Sequence, residues 1–542
     1  MTPSISAAMT SPSAPASDAG PSTTPRPRRP SHSTPLPPLL PISSFPTPAP
    51  PPHAKPSGYT FYHTTLGSPR HIVAPMVAAS ELPWRKLSRR IGGADLCYSP
   101  MISSSSFVNS LRAKGKSAQR SVLNWFNTAT REEGHGQDSK LIIQLAGNDP
   151  TVLLEAATHL QSHCLGIDLN LGCPQHIAKR GHYGSFLQED WPLIHSLIST
   201  LHTNLTVPVT AKMRVFPSVE HTIAYARMLE HAGAQIITVH GRTREQKGHK
   251  TGLADWEMIR AVKSAVSVPV FANGNVLYRE DVEACLSATG ADGVMSAEGN
   301  LYNPLIFAGE QLLSSLPTSL LPYRDSDASP EAAWRSFPYI PALAHEYLDE
   351  VAACRKRVDH SAVKGHMFKI CRPALERHKE LRGVLGKAQL RYVDAEEREE
   401  EAGQGQGEAV VREYREAVSA LDEKLTADKQ DPLYLQPPKD WGSSSLSASV
   451  TEEKYVPHWL AQPYFRPALP LPEEKTKGEK KGEVEKVGVD TRDVQGRGEK
   501  RVVDLEEANG GEANEKGNAE DGHKKVRLSE PTTAAQNPIL EV

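Results

Sequence analysis

The sequence predicts an α/β protein: a (β/α)8 barrel, a smaller all-helical domain after it, and disordered tails at both ends. Three observations predict it. Eight short β-branched runs alternate with helix-like stretches between residues 71 and 298, which is the size of a barrel of about 250 residues. The alternation stops after Pro317 and gives way to helical periodicity. Neither end of the chain carries a hydrophobic period.

Residues 1–57 hold 17 of the 44 prolines and read as a disordered Pro/Ser-rich tail. With Arg26, Arg28 and Arg29 against the single acid Asp18, this tail has the composition of an organelle transit peptide. Its proline density opposes the amphipathic helix that such peptides need, so a cytoplasmic or nuclear location is favoured over a mitochondrial one.

The barrel is expected over residues 58–317, with strands at 71–76, 95–101, 140–147, 166–172, 207–214, 234–241, 268–275 and 291–298. Pro208 and Pro269 open the fifth and seventh strands, where a missing N–H costs the ladder least. Residues 218–232 illustrate the helices: Ile223, Ala226 and Leu229 recur along one stripe, and Ala232-Gly233 ends it.

A helical domain is expected over residues 332–425, where Val363, Met367, Ile370 and Ala374 recur at helical spacing. Residues 355–391 carry eleven Lys or Arg against Asp359, Glu376 and Glu380. Such a basic face suits nucleic acid, although the whole chain has a net charge of only −3. Residues 439–542 are rich in Gly, Lys and Glu without periodicity and are expected to be disordered.

Several classes are excluded. Cys97, Cys164, Cys173, Cys285, Cys354 and Cys371 are scattered, with no CxxC pair and no His at zinc-finger spacing, so neither a disulfide framework nor a metal site is expected. No apolar run reaches the roughly 18 to 20 residues of a membrane span, so no membrane association is expected. No GxGxxG follows a strand, which leaves no separate dinucleotide fold. No obligate protein partner is evident.

In a barrel of this kind the C-terminal ends of the strands line the active site. Here those ends read Ala74-Pro75-Met76, Gln144-Leu145-Ala146-Gly147, Asn170-Leu171-Gly172-Cys173-Pro174, Lys212-Met213-Arg214, His240-Gly241-Arg242-Thr243, Asn273-Gly274-Asn275 and Ala297-Glu298-Gly299-Asn300. Amide, imidazole and ammonium groups can hydrogen-bond the edge of a planar heterocycle, and glycines let backbone amides approach a phosphate. The set describes a flavin cradle. Lys212 would put a positive charge beside the N1 and O2 edge, which is negative in reduced flavin.

In order and spacing over residues 59–312, these motifs resemble the tRNA-dihydrouridine synthase family, whose fold is an FMN-binding TIM barrel. The stretch GCPQHIAKRGHYGSFLQED from Gly172 most resembles the eukaryotic branch that acts on D-loop uridines 16 and 17. The resemblance implies FMN contacts at Pro75, Met76, Val77, Gln144, Lys212, His240, Asn273, Gly274, Asn275, Ala297 and Glu298. It implies that Cys173 is the proton donor, and that Asn170, Arg214 and Arg242 meet substrate uracil or nearby RNA phosphate. Ala78-Ala79 stand where the branch often has a polar pair such as Asp-Gln.

The implied reaction takes electrons from NADPH or NADH through FMN, delivers hydride to C6 of a tRNA D-loop uracil, and protonates C5 from Cys173. A thiol serves as acid only while protonated, so Cys173 is expected to avoid the electropositive surroundings that make thiolates. Two other readings compete. One is an FMN-dependent reductase of a small molecule, similar to a dihydroorotate dehydrogenase; the other is a noncatalytic RNA-binding protein on a barrel scaffold. The basic helical stretch speaks against the first, and Cys173 against the second.

Overall fold

The structure is a computed structural model that describes residues 36–113, 126–128, 130–247, 252–327, 331–392, 406–434 and 455–464. The rest of both expected tails lies outside the described residues. Eight parallel strands form the barrel: β1 (His71–Val73), β2 (Leu96–Tyr98), β3 (Leu141–Ala146), β4 (Gly166–Leu171), β5 (Val209–Arg214), β6 (Ile237–His240), β7 (Val270–Asn273) and β8 (Gly293–Ser296). Each pairs with its sequence neighbours, and β8 pairs back to β1 with Met295 opposite Ile72, closing the ring. A two-residue strand, Ile102–Ser103, extends the pairing beside the end of β3. Pro208 and Pro269 precede β5 and β7, where their carbonyls accept from Ile167 N and Ile237 N and no N–H is needed.

The crossover helices are α1 (Leu82–Arg90), α2 (Ser104–Arg112), α3 (Pro150–Leu160), α4 (Trp191–Asn204), α5 (Val219–His231), α6 (Trp256–Ala265) and α7 (Arg279–Thr289), with a short α8 (Glu298–Tyr302) after β8. Their starts are set locally. The side chains of Ser103, Asp149, Asp190, Ser218 and Asp255 each accept a first-turn N–H of the helix that follows, a cap worth about 1 kcal/mol. In α5, Ala226 and Leu229 are buried as expected, but Tyr225 and Met228 share that face and Ile223 lies only half-buried at its margin.

After the barrel come α9 (Ile340–Ala352), α10 (His360–Ile370), α11 (Arg372–Arg377), α12 (Leu381–Lys387) and α13 (Gln406–Asp428). Val363, Met367, Ile370 and Ala374 are all buried, and one apolar cluster runs from the barrel helices into this region. The seat is α1. Trp84 stacks on His366 of α10 with ring centroids 4.1 Å apart, and the Glu81 carboxylate takes Tyr347 Oη at 2.8 Å and His366 Nε2 at 3.0 Å. Around that buried contact, Lys86 and Arg90 pair with Glu350, at 3.1 and 2.7 Å.

Part of the expected basic surface is taken up by ion pairs within the chain. Lys356 is buried against Glu133 at 2.9 Å, Arg391 pairs with Glu413 at 2.6 Å, and Arg372 pairs with Glu376 at 2.7 Å. Lys379, Arg382 and Lys387 remain exposed. Among the described residues no helix is long and apolar enough to cross a membrane.

The expectation of disorder over residues 1–57 does not extend to residues 36–57, which run along α4 and α5. Phe45 is buried and stacks on His195 at 5.1 Å. Lys55 Nζ donates to the carbonyls of His202 (2.5 Å) and Leu205 (2.9 Å), capping the end of α4. A lysine at a helix C-terminus satisfies carbonyls that have no intrahelical partner. Phe45→Ala is expected to cost about 3 kcal/mol of unfolding free energy in a urea titration. At the other end, residues 455–464 lie within the span expected to be disordered, yet Trp459, Leu460 and Ala461 are fully buried. Isolated apolar residues in a low-complexity stretch carry no period, so only a partner surface reveals their burial.

Candidate active site

The site begins with three inward side chains on β3 and β4. Gln144 stands opposite Asp168, two residues below Asn170. Gln144 Nε2 donates to Asp168 Oδ2, and Asn170 Nδ2 donates to Gln144 Oε1, both at 2.8 Å. Thr210 Oγ1 donates to the other Asp168 oxygen at 2.6 Å. Burial pushes Asp168 up to about 6, against the hydrogen bonds from Thr210 and Gln144 and the charge of Lys212.

Asn170 then shapes the loop that carries the cysteine. Its Oδ1 accepts from Gly172 N at 3.1 Å and Cys173 N at 2.9 Å. Arg214 Nε donates to Gly172 O at 2.7 Å, and Ser185 Oγ to Cys173 O at 2.9 Å. Gly184, at φ 64°, lies so close that a Cβ there would stand 2.8 Å from Cys173 O. The loop is therefore held from three sides.

Cys173 is half-buried, and burial pushes its thiol up even though Arg214, Lys212 and Lys247 pull it down. This corrects one expectation: the surroundings are electropositive, and desolvation outweighs them. The thiol stays protonated at neutral pH.

Across the mouth lies a cationic cluster. Lys212 Nζ donates to Asn273 Oδ1 at 2.9 Å, and Asn273 Nδ2 to Met295 O at 2.8 Å. Burial, then Arg214, lowers Lys212 to about 8. Burial, then Arg242, brings Arg214 to about 10. His240 is held well below the usual imidazole value by burial and by Arg214, Lys212 and Arg242, so it is neutral. Its Nε2 can then accept from Arg242 Nη1, 3.1 Å away. Arg242 Nη2 also donates to Asn275 Oδ1 at 2.9 Å. Gly274, at φ 117°, packs against His240 and Ala254 where a Cβ would come within 2.6 Å of Ala254 Cβ.

The first and last strands complete the rim, joined by Ala74 N donating to Ser296 O. Pro75 is half-buried, Met76 buried and Val77 exposed. Ala78 sits at φ 51°, a left-handed conformation that asparagine or aspartate tolerates better than alanine. Ala297 and Glu298 open α8, and the Glu298 charge acts on Lys369 of α10.

A family model for dihydrouridine synthases matches residues 72–400. The chain belongs to the dihydrouridine synthase family. Among its relatives is the tRNA-dihydrouridine(16/17) synthase of Saccharomyces cerevisiae, 42% identical over 405 residues, which are 74% of this chain and 85% of that one. The tRNA-dihydrouridine(16/17) synthase-like protein of Mus musculus is 41% identical over 410 residues, 76% of this chain and 71% of its own. By contrast, the Mus musculus tRNA-dihydrouridine(20a/20b) synthase-like protein is 36% identical over 241 residues, 44% of this chain and 69% of its own. The likeness to the 16/17 proteins thus spans more than the barrel.

In this dihydrouridine synthase, Gln144, Asn170, Lys212, Arg214, His240, Arg242, Asn273 and Asn275 meet at one barrel mouth with the Cys173 loop. Asn170 and Arg214, expected at the substrate, direct polar atoms to the protein: Arg214 also donates to Thr243 O at 2.8 Å. Both shape the Cys173 loop. Sequence reasoning missed Asp168, Thr210, Gln188 (which donates to Arg214 O at 2.9 Å) and Lys247 (which donates to Pro174 O at 2.9 Å). A signal existed for Asp168, which shares the inward period of two with Asn170. Lys247 is brought in by a loop and leaves no periodic trace.

Proposed function

We propose that this family member is a tRNA-dihydrouridine(16/17) synthase that holds FMN at the barrel mouth, takes electrons from NADPH or NADH, and protonates the substrate from Cys173. The observation that carries the reading is the meeting of a partly buried cationic cluster, Lys212, Arg214 and Arg242, with the half-buried Cys173 on neighbouring strand ends. A buried ammonium whose hydrogen-bond acceptor is an amide, with a guanidinium beside it, is suited to an anionic ligand. Reduced flavin, with its negative N1 and O2 edge, fits that demand at Lys212 and Asn273, and neutral His240 offers its ring beside them.

Bound FMN would supply the hydride for C6 of the uracil. The chain's own part is acid and positioning chemistry. Cys173 holds a proton for C5, and the Asn170, Ser185 and Arg214 contacts fix the loop that presents it. A D-loop uridine costs less to unstack than a paired base, which makes it a fitting substrate for a recessed mouth. The cations left exposed on α12 and its flanks would position RNA phosphates.

Incubation of the purified protein with unmodified tRNA and NADPH, followed by nucleoside mass spectrometry, tests the reading. A flavin spectrum and a two-hydrogen mass gain at D-loop uridines are expected. Flavin without product on tRNA, but with turnover of free pyrimidines, would overturn it in favour of a small-molecule reductase. For Lys212→Met, loss of one preorganised positive group is expected to lower the flavin midpoint potential by about 60 mV, equivalent to ~2.7 kcal/mol for two electrons. Spectroelectrochemistry of the flavin-bound variant reads that shift directly.

A further inference from the structure

Three side chains from separate stretches of the helical region converge on one point. His378 follows α11 as its cap, Asp428 is the last residue of α13, and His458 lies in the 455–464 segment. Their ligating atoms all fall within 4.8 Å of one another. Nε2 of His378 and Nε2 of His458 approach the same oxygen, Asp428 Oδ2, at 2.8 and 2.6 Å. Each of the three side chains is less than one-fifth exposed, which lowers competition from water without closing a path for an ion.

Two imidazole nitrogens and one carboxylate oxygen are the donor set of a tetrahedral Zn2+ site with a fourth position for water, which the three side chains would reach by opening their N···O hydrogen-bond distances to about 3.3 Å. The outer surroundings agree. On its far side, His378 Nδ1 lies 3.7 Å from Glu380 Oε1, beyond hydrogen-bond reach, where the carboxylate's negative charge favours a cation held by the ring. The nearby Arg377 guanidinium lies over the Tyr434 ring, 4.9 Å from its centroid. Glu380, on the far side of His378, adds a second negative charge to offset that cation and the metal.

The place of the cluster gives it a structural task. Among the described residues, the 455–464 stretch meets the helical region through hydrogen bonds of its main chain that include Ile340 N to Trp459 O at 3.0 Å, Ala461 N to Pro338 O at 2.8 Å and Trp334 Nε1 to Tyr455 O at 3.0 Å. It buries Trp459 completely. We propose that His378, Asp428 and His458 bind Zn2+ and so staple this segment to the end of α13.

The test uses untagged full-length protein, stripped with a chelator and titrated with Zn2+ against a chromophoric competitor. The chain has 21 histidines that could scavenge zinc, so uptake is compared with the His378→Ala/His458→Ala double variant. Asp428→Asn is added because it keeps an acceptor of the same shape while losing the charged ligand. The expected result is about one more Zn2+ per chain in the wild type than in either variant, with a Zn2+-dependent rise in melting temperature confined to the wild type. Zinc X-ray absorption of the loaded wild type should show nitrogen and oxygen ligands with two imidazoles. Equal uptake by wild type and Asp428→Asn, or a melting temperature of the stripped wild type that does not respond to Zn2+, would overturn the proposal and leave a hydrogen-bonded clasp. Should the double variant fail to fold, the Asn variant and the absorption spectrum decide alone.

Discussion

Replacement of Cys173 by alanine is expected to lower the single-turnover rate of dihydrouridine formation by about 10²- to 10⁴-fold, the usual contribution of a positioned general acid. Flavin content should not change. The two proposed roles fall on separate elements: the cationic cluster is built on β5, β6 and β7, whereas Cys173 sits on the loop after β4. The alanine variant keeps the contacts to Asn170, Ser185 and Arg214, because these use the main chain of residues 172 and 173. Rates of product formation, read by mass spectrometry with the flavin pre-reduced, isolate the protonation step. A variant that forms dihydrouridine at the parental rate would remove Cys173 from the mechanism.

The largest expected effect on stability lies away from that chemistry, at Glu81. Burial alone would raise its carboxyl, but the facing His366 and Tyr347 hydroxyl bring it down to about 2. Glu81→Ala leaves a buried imidazole and a buried phenol without their acceptor, and removing one member of such a group costs about 3–5 kcal/mol. Equilibrium urea unfolding should show the loss, with Glu81→Gln less affected because its amide oxygen can still accept from Tyr347. A change below about 1 kcal/mol would mean that the contact is replaced by water.

The same carboxylate sets a pH dependence. Its folded pKa lies below its ordinary value of 4.5, so the ionised form stabilises the fold. That contribution is fully present above about pH 4.5 and is lost as pH falls toward 2. The seam between α1 and the helices should therefore loosen in this acid window in the wild type, while Glu81→Gln should lose this component of the pH dependence. Hydrogen exchange of α9 and α10 across the window would detect it.

Much of the site was legible because strands impose a period of two. Gln144, Asn170, Lys212, His240 and Asn273 could be placed at strand ends from spacing, and the barrel brings them to one mouth, where Asn170 bonds Gln144 on the adjacent strand and Lys212 reaches past β6 to Asn273. Roles were less legible than positions. Asn170 and Arg214 stand where the family resemblance implies substrate, and in the structure their polar atoms also secure the Cys173 loop. Side-chain direction at a loop depends on where the opposing backbone lies, and no sequence period encodes that.

The sequence by itself determined the strand order, the helix starts, and the concentration of amide and cationic groups at one end of a parallel barrel, because each follows from local periodicity and capping chemistry. Only the tertiary structure decided the protonation of Cys173, where burial outweighs Arg214, Lys212 and Lys247. It alone decided that Phe45 and Trp459 are core residues, and that His378, Asp428 and His458 meet. Desolvation and charge–charge energies depend on distance and on the surrounding atoms, and these are set by chain segments far apart in sequence.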